Sequence, residues 1–128
     1  MLRERIMERF EDIVAWQKAR ELTAEIYRFS QQERLRKDFA LRDQMVRAAI
    51  SIMANIAEGF ERGRLSEFHQ FLSISKASCA ELRSHLYVAL DADYLTAEEF
   101  ETLRLKAEEV GRILGGLRHS VARKRDGS

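Results

Sequence analysis

Apolar residues recur at spacings of three and four through four stretches of this 128-residue chain, and no proline interrupts any of them. That spacing lays the apolar side chains along one side of a helix. Without proline, no residue in the chain forces such a helix to break. The first stretch, residues 12–30, sets Ala15, Ala19, Leu22, Ile26 and Phe29 in one row, widened by Ile13, Trp16 and Tyr27. A polar break, QQERLRK, then ends at Asp38, whose carboxylate suits it to cap a second helix over residues 38–61. Gly59 and Gly63 suit a helix end and a turn, and Ser66 suits the cap of a third helix over residues 66–92. Its stripe is Phe68, Phe71, Leu72, Ser75, Cys79, Leu82, Leu86 and Ala89. Thr96 and Glu99 have the spacing of a capping box, which opens a fourth helix over residues 97–121, before a basic tail at 122–128.

Four amphipathic helices on short polar links each have one apolar stripe to hide. The expected fold is therefore all-α, a single domain over residues 1–128 built as an antiparallel up-down-up-down four-helix bundle. A composition 45% hydrophobic and 34% charged is too apolar for a disordered polyelectrolyte and too charged for a membrane protein. No apolar run approaches the roughly 18 residues of a membrane span, and the start MLRERIMERF lacks a signal peptide's apolar stretch, so a cytoplasmic location is expected. The lone cysteine, Cys79, has no intrachain partner and reads as a buried thiol.

The second segment is unlike the others. From Ala48 to Ala57 only Ser51 and Asn55 are polar, so apolar side chains surround most of the circumference. A helix on the outside of a single bundle is not expected to look like this, and self-association would supply the missing cover. Its polar residues Gln44, Arg47, Ser51, Asn55, Glu58 and Arg62 follow at steps of three and four and form one stripe, which faces either solvent or a polar contact between subunits. Small residues in the third segment, among them Ser73, Ser75, Ala77, Ser78 and Ala80, would allow close helix approach.

These same segments carry a family resemblance. The pieces are Phe10 and Ile13 with Ala15-Trp16-Gln17-Lys18-Ala19, Leu41-Arg42-Asp43-Gln44, Ala49-Ile50-Ser51-Ile52 and Asn55-Ile56-Ala57-Glu58-Gly59. Glu67-Phe68, Phe71-Leu72, Ser78, Glu81-Leu82 and Tyr94-Leu95 follow farther on. With them the chain resembles the four helix bundle protein family, also called the 23S ribosomal RNA intervening-sequence protein family. It departs from the family pattern at Met53, where proline is common, at Ala77, where glycine is common, and in lacking a proline in the first connection. The resemblance implies antiparallel four-helix bundles that assemble as ring-shaped homopentamers. It marks Gln44, Ser51, Asn55, Glu58 and Gly59 as family-motif or oligomer residues. Some members are encoded within inserts in ribosomal RNA genes, and an accessory protein of diversity-generating retroelements, thought to bind nucleic acid and a reverse transcriptase, resembles them.

Catalytic chemistry has little to build on. His69, His85 and His119 lack the paired histidine spacing of a helical metal site, Cys79 completes no zinc pattern, and neighbouring acids such as Glu98-Glu99 and Glu108-Glu109 point in different directions from a helix. No phosphate-cradling glycine motif or nucleophile elbow occurs, so neither catalysis nor a cofactor is expected. Charge placement says more than the net charge of +1. An up-and-down bundle would gather Arg3, Arg5, Arg9, Arg62, Arg64, Arg118, Arg123, Lys124 and Arg125 at one pole, diluted by Glu4, Glu8, Glu61 and Asp126. Asp91, Asp93, Glu98, Glu99 and Glu101 would lie at the other, offset by Arg34, Arg36 and Lys37. Arg62, Arg64, Arg118, Arg123, Lys124 and Arg125 are therefore the candidate residues for RNA or DNA. The alternative is a scaffold whose ring recruits a protein partner, with no nucleic-acid role.

Overall fold

The computed structural model describes residues 7–127, and among these residues it is all-helical, with five α-helices and no strand. A 3-10 turn, Phe10–Asp12, leads through the buried, extended Ile13 into α1, Val14–Ser30. There follow α2, Glu33–Lys37, then α3, Phe39–Glu61, α4, Leu65–Asp91, and α5, Ala97–Arg125. The four long helices pack in a closed circuit: α1 lies on α3, α3 on α4, α4 on α5, and α5 back on α1. None of the described helices is long and apolar enough to cross a membrane.

α1 and α4 bury most of the stripe that their spacing predicts, and α5 buries one of the same period. In α1 this is Ala15, Ala19, Leu22 and Ile26; in α4 it is Phe68, Leu72, Ser75, Cys79, Leu82, Leu86 and Ala89; in α5 it is Phe100, Leu103, Ala107, Val110, Leu114 and Val121. The ends of two helices also follow the sequence. The Leu41 N–H donates to Asp38 Oδ1 at 3.1 Å, and Thr96 and Glu99 each accept the other's backbone N–H at 3.0 and 2.9 Å.

Four local features differ from expectation. The polar break contains α2, which forms because its one apolar residue, Leu35, is buried in the core. α4 begins two residues earlier than a Ser66 cap would place it: Gly63 turns the chain at φ 78°, and Arg64 becomes the N-cap with no side-chain bond. α5 runs past residue 121 to Arg125, where three basic residues face the negative end of the helix dipole. Tyr27, read as part of the buried row of α1, is exposed.

Gly59 does not end a helix at all. It is buried inside α3, and a methyl group on it would lie 2.5 Å from Phe71 Cβ and 3.2 Å from Phe68 Cδ1. The same contact zone explains the small polar residues of α4. The buried Ser75 hydroxyl donates to the Ile52 carbonyl at 2.8 Å, and the Ser51 and Ser78 hydroxyls share a hydrogen bond of 2.8 Å. A side-chain hydroxyl reaches the backbone of the facing helix only when the two axes are close. Replacing Gly59 with alanine is expected to lower stability by about 1–3 kcal/mol through overpacking. A urea titration should show a reduced midpoint with an unchanged slope, and an unchanged midpoint would mean that the two helices separate without cost.

Candidate nucleic-acid interface

The side chains proposed from sequence to meet phosphate come from two places in the chain, the α3–α4 turn and the end of α5. The structure sets the end of α5 against α4, beyond that turn. Arg118 donates from Nε to Ser73 Oγ at 3.0 Å, which ties α5 to the third turn of α4, and Ser73 in turn donates to the His69 carbonyl. Burial holds the His69 imidazole below its ordinary pKa of 6.5, the positive fields of Arg118 and Arg125 push it lower, and Asp126 opposes them. His69, Arg118 and Arg125 thus belong to one electrostatic neighbourhood. Arg64 stands just before the same end of α4 and is exposed. Arg123 and Lys124 are exposed in the last turn of α5.

The basic residues are not equally available. Arg62 pairs with Glu58 at 3.0 Å and Glu67 at 3.8 Å, and its guanidinium lies over the Phe71 ring at 5.0 Å. It fastens the corner between α3 and α4, so a phosphate would compete with two carboxylates for it. Arg118 is half-buried, and Arg125 is drawn to Asp126 at 3.0 Å. Arg3 and Arg5, with Glu4, lie outside the described residues. Arg9 is exposed beside the 3-10 turn.

The opposite end of the helices is fastened by a different cluster. Tyr94 donates to Asp38 Oδ2 at 2.9 Å, and Arg34 donates to the Asp93 carbonyl at 2.9 Å while lying over the Tyr94 ring. Asp93 itself adopts φ 62°, and the Tyr94 N–H reaches back to the Ala89 carbonyl, the left-handed ending common at helix C-termini. So Arg34 and Asp93, predicted to share the acidic pole, do meet, through a backbone carbonyl.

The motif residues of α3 line its junction with α4. Asn55 donates to the Ser51 carbonyl at 2.8 Å and to its hydroxyl at 3.0 Å, and Ser51 carries the contact to Ser78. Glu58 holds Arg62, and Gly59 admits Phe71. Gln44, Arg47, Ala48 and Ser51, with Glu81 of α4, line a half-open polar pocket of about 290 Å³. Sequence reading missed Glu81 as a partner of this stripe, and nothing local in the sequence signals it, because the pairing depends on the register between α3 and α4. Met53 and Ala77, where the chain departs from the family pattern, sit in unbroken helix, half-buried and exposed respectively. The buried Cys79 thiol donates to the Ala107 carbonyl at 3.1 Å, and burial pushes its pKa up. Among the described residues, no three His, Cys, Asp or Glu side chains are grouped so as to hold a metal ion.

The fold and its paired helix contacts define an all-helical protein in which the NIAEG segment joins α3 closely to α4. The chain belongs to the family described as 23S rRNA-intervening sequence protein, which matches residues 11–116. Among solved structures, it is similar to a Bacteroides thetaiotaomicron protein of unknown function from the S23 ribosomal protein family. The TM-score is 0.77 at 23% identity, over 83% of this chain and 96% of that one, a likeness of fold alone. No protein of curated function matches.

The displaced His69 titration has a consequence for stability. Because the folded state favours the neutral ring, the unfolded chain binds the proton first as pH falls below about 6.5, so stability drops with falling pH in that window. Replacing His69 with glutamine should remove this part of the acid-side loss. Urea midpoints at about pH 7.5 and about pH 5.5 measure it, and an equal loss in both proteins would show that the ring titrates normally.

Proposed function

We propose that the chain is a non-enzymatic, cytoplasmic accessory protein that self-associates and binds RNA or DNA through a basic pole, without a cofactor. In this reading the four long helices form an antiparallel up-down-up-down bundle. Cross-helix contacts support it: between α3 and α4, Gly59 meets Phe71, Ile52 meets Ser75 and Ser51 meets Ser78, so numbers fall on one helix as they rise on the other, and between α4 and α5 Cys79 meets Ala107. Arg118 with Ser73 continues the α4–α5 series in the same sense.

Self-association rests on apolar surface that one chain leaves uncovered. On α3, Phe39 is 65% and Ile50 41% exposed, Ala54 is exposed, and Val46, Met53 and Ala57 are only half-buried. They lie on the flank of α3 turned away from α4, which meets α3 at Ser51, Ile52 and Gly59. Tyr27 of α1, 45% exposed, adds to that side. Further copies of the chain are the proposed cover, in the homopentameric ring that the family resemblance implies. Light scattering at micromolar concentration is expected to give a multiple of the subunit mass, and a stable single subunit would remove the ring.

The observation that carries the nucleic-acid reading is the packing of the basic end of α5 against α4, with Arg118 bonded to Ser73 and the fields of Arg118 and Arg125 acting on His69. A ring with its subunits aligned would repeat that patch, so that several weak phosphate contacts act together. Fluorescence anisotropy with mixed RNA and DNA oligonucleotides is expected to show binding that weakens steeply with salt. Neutralising Arg64, Arg123, Lys124 and Arg125 together should reduce the log–log salt slope by roughly 0.7 per lost single-strand phosphate contact. Arg62 neutralised alone should change it less, since that side chain is held by Glu58 and Glu67. No binding at low salt, or a slope unchanged in the fourfold variant, would sink the proposal. Exposed Ile74, Val88 and Leu105 favour the second reading, a scaffold that recruits a protein partner.

A further inference from the structure

The groove between α3 and α4 holds charges that the fold itself does not use. Contacts along it follow a fixed register, Gly59 with Phe71, Ile52 with Ser75 and Ser51 with Ser78. Carrying that register one helical turn further sets Ala48 opposite Glu81, and a second turn sets Gln44 opposite His85. The pocket of about 290 Å³ lined by Gln44, Arg47, Ala48, Ser51 and Glu81 opens at this point. Ala48 is buried and floors the pocket with a methyl group, while Gln44, Arg47 and Glu81 are exposed at its rim.

Other charges of these two helices find partners within the chain: Arg42 pairs with Asp43, Arg62 with Glu58 and Glu67, and Arg83 with Glu108. Arg47 and Glu81 do not. Among the described residues neither makes an ion pair or a hydrogen bond, with each other or with a third group, although both line the same pocket. His85, one turn beyond Glu81 on the same edge of α4, adds a second unmet group. Its Nε2 is buried with no hydrogen-bond partner among the described residues, where a buried polar atom ordinarily has one. Ser51 is bonded to both Ser78 and Asn55, so the wall between the two helices is already fixed.

The charges of the lining select the kind of molecule that fits. A phosphate drawn to Arg47 would be repelled by Glu81, and a simple cation drawn to Glu81 would be repelled by Arg47. A molecule that carries a carboxylate and an ammonium group together satisfies both. Ligand pockets begin at roughly 300 Å³. At roughly 30 Å³ per water-sized group, this one takes a molecule of about ten non-hydrogen atoms. We propose that the pocket binds a free α-amino acid, with its carboxylate on Arg47, its ammonium on Glu81 and a polar side chain toward Gln44 and His85. The inference does not depend on the nucleic-acid reading, and the pocket lies on the α4 side of α3, apart from the apolar flank assigned to self-association.

Isothermal titration calorimetry on the full chain at low salt, with glycine, L-serine and L-glutamine as probes, tests the site. L-glutamine should bind saturably with a Kd of about 1 mM or below, and more tightly than glycine. Acetate and methylammonium, which carry one charge each, should bind at least about tenfold more weakly. Arg47→Gln and Glu81→Gln should each weaken L-glutamine binding by about tenfold or more. Both should leave the urea midpoint unchanged, since neither side chain has a partner to lose. In NMR spectra L-glutamine should shift the His85 ring signals together with the amides of Arg47 and Glu81. No saturable binding of the three probes at about 10 mM overturns the site, as does binding that survives both substitutions or that acetate or methylammonium equals. Glycine binding as tightly as L-glutamine, with the His85 ring unmoved, overturns the placing of the side chain. If either substitution instead changes the mass seen by light scattering, the two charges serve a contact between copies of the chain, and the amino-acid site is overturned.

Discussion

The separation between α3 and α4 is set at Gly59, where Phe71 occupies the volume a larger residue would fill. Once the axes are that close, the Ser75 hydroxyl can reach the Ile52 carbonyl and Ser51 can meet Ser78. Polar groups buried between helices are tolerated only with partners, and these partners exist only at this spacing. The close approach therefore fixes register as well as distance. The rest of the packing follows: α4 presents Cys79 to Ala107 of α5, and α3 presents the Ala49 carbonyl to Thr23 of α1.

Much of the architecture was legible because burial imposes a period. The stripes of α1 and α4 could be read largely residue by residue, and Asp38 and the Thr96–Glu99 pair marked helix starts, because these signals are confined to a few neighbouring positions. α2 was not legible, since five residues with one apolar side chain have no periodicity; its existence depends on a pocket for Leu35 that only the remaining fold supplies. Gly59 was misread for a related reason. A glycine near a polar turn looks like a helix end, whereas its purpose here is set by Phe71, twelve positions away. The site divides in the same way. The basic residues could be picked out from sequence, but the commitment of Arg62 to Glu58, Glu67 and Phe71, and of Arg118 to Ser73, depends on how separate helices align.

The polar stripe and the apolar excess of α3 have different explanations. The stripe looks from sequence like a solvated face or a subunit contact. In the folded chain, part of it is used internally: Ser51, Asn55 and Glu58 make hydrogen bonds or ion pairs within α3 and to α4. Gln44 and Arg47, with Ser51, line the open pocket beside Glu81. The apolar excess, by contrast, is not absorbed. Seven residues of α3 are buried, and Phe39 and Ile50 are still exposed, so the flank turned away from α4 is the one that another surface would cover.

A near-neutral molecule is a poor polyanion binder on average, so any such activity must come from local arrangement. Here the balance of 22 basic against 21 acidic residues conceals an uneven distribution. Many of the acids are consumed locally, as Glu101 and Glu108 are by Arg104, and Glu33 is by Lys37. Where the end of α5 meets α4, by contrast, cations outnumber acids and lower the proton affinity of a histidine between them. Burial is the larger cause of that shift, and the two arginines add a positive field that Asp126 only partly offsets. An anion placed there would gain from direct attraction to Arg118 and Arg125.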